Sequence, residues 1–128
     1  MELLTKDVRK YADETDDVIK RYLALIIHSK VGVTNAITQS GILESLNRYG
    51  FEYKPGDMRS IRIVINEMRE EGIPILGSSG IGYYLPASWD EVMDSTTTER
   101  AKARSAMITC RTIRKAARKY YPPQSKLF

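Results

Sequence analysis

The sequence predicts a mainly α (α+β) fold, and three observations carry that expectation. Apolar residues recur at helical spacing, as in Ile61, Val64, Ile65 and Met68. A single glycine-rich turn, Gly77-Ser78-Ser79-Gly80, separates two short apolar runs and reads as a two-stranded β-hairpin. The Lys- and Arg-rich C-terminal stretch repeats apolar positions at alternating spacings of three and four, the mark of a long helix.

Residues 1–14 are the least determined part, with Thr5 a candidate cap for a short helix. From Thr15 the pattern sharpens. Thr15 is the expected cap, Asp16 and Asp17 suit the positive end of a helix, and Val18, Tyr22, Leu25 and Ile26 form its apolar stripe. His28 and Lys30 suit the negative end, and Gly32 is expected to stop the helix. Thr38 then caps a shorter helix whose Ile42, Leu43 and Leu46 point inward and which ends near Asn47 to Gly50. In the following connection Tyr49, Phe51 and Tyr53 alternate, predicting a short extended strand.

Asp57 is the expected N-cap of the next helix, with Pro55-Gly56 barring helix upstream. Ile61, Val64, Ile65 and Met68 form its buried stripe. At about 100° per residue the other side carries Arg59, Ile63, Asn66 and Glu70, with Ser60 and Arg62 on the flanks. Gly72 supplies a left-handed C-cap that reverses the chain into Ile73, and the second strand runs through Ile81, Tyr83 and Leu85. Pro86 ends the hairpin. Ser88 to Glu91 reads as a capping box and Thr96 to Glu99 as a second one, with a bend or break expected among Ser95, Thr96, Thr97 and Thr98. In the last helix Ala103, Ala106, Cys110, Ile113, Ala117 and Tyr120 form a heptad seam of about two and a half repeats. That seam either pairs with a second copy or packs on the protein's own body. Pro122-Pro123 is expected to terminate the helix.

At 128 residues the chain is long enough to bury a core without staples. The longest apolar run, Leu23 to Ile27, is far short of the roughly 20 residues of a membrane span, so no membrane partner is expected. Glu2, Lys6 and Asp7 interrupt the N-terminus where a secretory signal would be apolar. The lone Cys110 has no internal disulfide partner, and with these features it points to the cytoplasm. One histidine and one cysteine on separate helices make no zinc site, and no phosphate-binding loop or nucleophile–base pair is present. Neither an enzyme, a metal nor a cofactor is expected. Net charge is +4, but from Glu99 onward nine basic residues face one acid, whereas the first 98 residues hold 11 basic and 15 acidic side chains. The chain is electrostatically polarised, which can orient it on a polyanion.

The segments Arg59-Ser60-Ile61-Arg62, Ile65-Asn66-Glu67-Met68-Arg69, Gly72-Ile73-Pro74-Ile75 and Gly82-Tyr83-Tyr84-Leu85 carry a resemblance to the winged helix-turn-helix family. They resemble especially the variety found at the N-terminus of biotin operon repressors and in many phage or prophage proteins. The likeness reaches weakly back to about Thr15. It implies residues 1–87 as a winged helix-turn-helix domain with an N-terminal extension, the hairpin serving as its wing, and 88–128 as a C-terminal helical extension. It also implies sequence-specific binding of double-stranded DNA by a transcriptional regulator of phage or prophage type. The same fold serves as a protein-docking adaptor, for instance in phage replication or assembly, and that alternative stands beside the first.

On the DNA-binding reading, Arg59 and Arg62 offer bidentate donors to guanine, Asn66 pairs with adenine, Ser60 flanks them, and an exposed Ile63 rests on a thymine methyl. Ile63 buried in the core is the competing expectation. Ser78 and Ser79 at the hairpin, and Arg111, Arg114, Lys115, Arg118 and Lys119 on the final helix, are the candidate phosphate contacts. The seam would join a homodimer, presenting two reading helices to two half-sites. Two features cut against this reading: the wing tip has no Lys or Arg, and Glu67, Glu70 and Glu71 would repel phosphates if they faced them.

Overall fold

The computed structural model describes residues 2–78 and 80–121. Its elements run α1 (Glu2–Glu14), α2 (Val18–Ile27), α3 (Gln39–Arg48), α4 (Met58–Glu70), β1 (Leu76–Ser78), β2 (Gly82–Tyr84) and α5 (Trp89–Ala117). Two 3-10 turns, Val33–Asn35 and Pro55–Asp57, lie before α3 and α4. The chain is mainly helical with one small antiparallel sheet, as the α+β expectation required.

The core is assembled from one stripe of each of the first four helices. Val8, Ile42, Leu46, Ile61, Ile65, Met68 and Leu85 are fully enclosed. Helix α1 is firmer than its sequence suggested. It begins at Glu2, so Thr5 sits inside the helix rather than capping it, and Val8 and Ala12 belong to the core. The cap of α2 also shifts by two residues. Asp17, not Thr15, receives the orphan amides of Ile19 and Lys20 at 3.0 and 3.1 Å, while Thr15 Oγ1 accepts only the Asp17 amide. The helix closes at Ile27, well before Gly32, and Val18 is exposed rather than part of the stripe. Thr38 caps α3 as expected, its hydroxyl accepting the Gly41 amide at 3.1 Å.

The aromatic connection forms no strand. Asn47 uses both ends of its amide on Tyr53, accepting from the backbone N–H at 2.8 Å and donating to the carbonyl at 3.0 Å, which meets needs a strand neighbour would otherwise fill. The rings of Tyr49, Tyr22, Phe51 and Tyr53 pack in that order, with successive centroids 4.7 to 5.7 Å apart. Asp57 precedes α4 but does not cap it. Its Oδ2 accepts the Lys54 amide at 2.8 Å, closing the 3-10 turn that leads into the helix, so Pro55-Gly56 introduces the helix instead of barring it.

Gly72, at φ +102°, ends α4 as expected, the amide of Ile73 returning to the Met68 carbonyl at 3.0 Å. Ile73 to Ile75 is irregular, and the hairpin is short: Leu76 pairs with Tyr84, Gly77 with Tyr83 and Ser78 with Gly82. Gly77 and Ser78 are thus strand residues, not turn residues. The other edge of β2 is occupied too. Ile37 and Tyr83 exchange backbone bonds of 2.9 and 2.8 Å, and Leu85 bonds to Lys30 and Gly32, so the chain between α2 and α3 lies alongside the hairpin.

Ser88 caps α5, accepting the Glu91 amide at 3.3 Å, but the reciprocal half of the expected box is different. Glu91 sends one oxygen to the Ala87 amide at 2.7 Å and the other to the Val33 amide at 3.0 Å. No second helix start occurs at Thr96, and no break at 95–98. The Thr96 and Thr98 hydroxyls donate to the carbonyls of Met93 and Asp94 in their own helix, so α5 is continuous. It ends at Ala117, and Pro122-Pro123 lie outside the described residues. By contact density the chain divides into residues 1–92 and 93–128.

Candidate nucleic-acid interface

Helix α4 separates its two faces cleanly. Ile61, Ile65 and Met68 are buried and Val64 is half-buried, while Arg59, Ser60, Arg62, Ile63 and Asn66 are all exposed. The five residues singled out as base readers therefore share one solvent face, spread over about 160° of the helix circumference. Ile63 is 50% exposed, which removes core burial as its role. Arg59 and Arg62 enter no ion pair among the described residues.

The acids at the end of α4 are drawn to α1 and α2. Lys20 pairs with Glu67 at 3.2 Å and more tightly with Glu71, whose second oxygen accepts the Tyr11 hydroxyl at 2.7 Å. The hydrogen bond to Glu71 holds the Lys20 ammonium above its ordinary range, against the opposing effect of burial. Glu71 is in turn held below the usual carboxylate value by the bonds from Lys20 and Tyr11. Burial, reinforced by Glu71, pushes the Tyr11 phenol up to about 12. Two of the three carboxylates expected to oppose phosphate thus share one cation, Lys20, which offsets one of their two charges.

Arg69 is a residue the sequence did not single out. It links α4 to the hairpin. Its Nε donates to the Ile75 carbonyl at 2.7 Å, Nη2 to the Gly77 carbonyl at 3.2 Å and Nη1 to Asn66 Oδ1 at 3.0 Å, while the guanidinium lies 6.0 Å from the Tyr83 ring centre. Because Tyr83 spends its backbone groups on Ile37, the Gly77–Tyr83 pair is the non-hydrogen-bonded kind, and the carbonyls of Ile75 and Gly77 point away from β2. Arg69 is what satisfies them. Since a guanidinium only donates, its bond also fixes which end of the Asn66 amide faces it, leaving the NH2 group toward solvent.

Ser78 lies in β1 and is half-buried, and Ser79 lies outside the described residues. Arg111, Arg114 and Lys115 on α5, and Arg118 and Lys119 just past its end, are all exposed. So is the seam: Ala103, Ala106, Cys110, Ile113 and Tyr120 are exposed and Ala117 is intermediate. Its spacing alone suggested a buried or paired face, which exposure in the single chain does not supply. Among the described residues no helix is long and apolar enough to cross a membrane, and no three His, Cys, Asp or Glu side chains gather as metal ligands would. Comparison with protein-family models, with curated proteins and with solved structures found no match to this chain.

Proposed function

We propose that this chain is a winged helix-turn-helix protein that binds double-stranded DNA and reads its sequence with α4, acting as a transcriptional regulator of the phage or prophage kind. The observation that carries the reading is the exposed face of α4, where two arginines with no ion pair among the described residues stand beside Ser60, Ile63 and Asn66. The order of elements supports it as well. A helix, an extended segment bonded to the hairpin, two further helices and then the hairpin follow one another from α2 to β2, as a wing beside a reading helix requires. The pairing of Glu67 and Glu71 with Lys20 turns those two carboxylates toward α2 and offsets one of the three negative charges that would oppose a phosphate approaching that face. A second copy, paired through the seam of α5, would give the complex two-fold symmetry.

The docking-module alternative draws on one observation, the half-exposed Ile63 in the middle of the same face. Selection of bound sites from random duplexes, followed by titration of the selected site and a scrambled one, separates the two readings. Wild type should prefer the selected duplex, and Arg59→Ala with Arg62→Ala should reduce that preference by roughly tenfold or more, given about 1–3 kcal/mol of discrimination per bidentate contact. Absence of duplex binding at low salt would transfer the face to a protein partner.

A further inference from the structure

The cationic side chains of α5 are sorted by face, not scattered. Taking Arg100 as the origin and about 100° per residue, Arg104, Arg111, Arg114, Lys115 and Arg118 all fall within a band roughly 100° wide. The amide of Arg118 returns to the Arg114 carbonyl at 3.2 Å, so the helical phase holds through that residue. Lys102 falls near the opposite side and Lys119 outside the band. From Arg100 to Arg118 the ridge rises 18 residue steps, or about 27 Å, which matches roughly eight base pairs of duplex. All six side chains are exposed, none enters an ion pair among the described residues, and no acid follows Glu99 in the sequence. By contrast, Lys102 is paired with Glu99 at 3.4 Å.

We propose that this face of α5, from Arg100 to Arg118, is a sequence-independent clamp for the phosphodiester backbone of a nucleic-acid duplex. The inference rests on the DNA-binding reading of α4 and extends it to Arg100 and Arg104, while excluding Lys119. Five of the six groups are arginine, whose planar fork matches phosphate oxygens in pairs. An anionic membrane surface would demand a broad apolar face to sink between lipids. Along the span of the ridge α5 has none. Within that span its large apolar residues Met107, Ile108 and Ile113 point in three different directions and are 58%, 54% and 62% exposed, while Trp89 and Met93 lie before its first arginine. The seam lies roughly 110° around the helix from the ridge, so pairing through one leaves the other accessible.

The test is the salt dependence of binding to a labelled random-sequence duplex, measured with the full chain. Arg104→Gln with Arg111→Gln should lower the slope of log affinity against log salt by about 1.8, from about 0.9 per lost phosphate contact. Lys102→Gln with Lys119→Gln removes the same charge off the ridge and should leave the slope unchanged. Circular dichroism should show equal helix content in all three proteins. Equal slope changes in the two variants, or none in the first, would overturn the ridge. So would ridge-dependent binding to phosphatidylserine-containing vesicles as tight as binding to duplex. A wild type that prefers its selected site yet is indifferent to the ridge substitutions would sink the clamp and keep the reading helix. A wild type that loses slope with the ridge but shows no sequence preference would do the reverse.

Discussion

Lys20, Glu71 and Tyr11 join three helices through side chains 51 and 60 residues apart in sequence, a distance no local spacing rule reaches. That separation is why the sequence left Glu71 looking like an obstacle to phosphate. Its place in the fold also sets a pH dependence. The folded state holds Glu71 below its ordinary value of 4.5, so the stability it contributes is complete above that value and is lost as pH falls through the lowered one. Glu71→Gln keeps the shape and removes the charge. Its urea midpoint should fall below that of wild type near neutrality, and the two should converge in acid as the native carboxyl protonates. The other limb follows from Tyr11, whose neutral form the fold favours. Stability from that source is full below the ordinary phenol value of 10.0 and is lost as pH rises toward about 12. Arg69 was illegible for a similar reason: a basic residue in the last turn of a helix reads as a dipole partner, and only the short hairpin reveals the carbonyls it serves.

At the level of elements, α2, α3 and α4 were readable because each carries a wide apolar stripe at helical spacing. Where a small side chain competes with another for one role, the reading slipped. Thr15 and Asp17 both suit a cap, and Asp17 takes it by reaching two amides at once. The Ser-Thr cluster in α5 looked like an interruption, yet the hydroxyls of Thr96 and Thr98 find partners one turn back. The hairpin turn was placed two residues early because Gly77 resembles a turn glycine. It is needed for another reason: at φ +99° a Cβ there would lie 1.9 Å from the Gly82 carbonyl oxygen, in the partner strand. Gly77→Ala should therefore cost about 2–4 kcal/mol, from strained backbone and displaced pairing together. Gly80→Ala, where an added Cβ meets nothing within 4 Å, should change the urea midpoint little.

For the molecule as a whole, the polarity of charge along the chain was fully legible, while the way α5 uses its faces emerged only when a continuous helix fixed their phase. If two copies pair through the seam, exposed Cys110 reports it. Its thiol should react with a disulfide reagent at the rate of an unstructured peptide in dilute protein and more slowly as concentration rises. Ile113→Asp should abolish that slowing and lower the mass seen by light scattering; a rate independent of concentration would leave the protein monomeric. Association of an unwanted kind is resisted elsewhere. Strand β1 forms the outer margin of the sheet, and Arg69 already occupies the carbonyl that Gly77 turns outward and that of Ile75 just before the strand. An incoming strand from a misfolded neighbour meets a guanidinium instead of a vacant acceptor ladder, which makes this border a poorer template for cross-β pairing than an open edge.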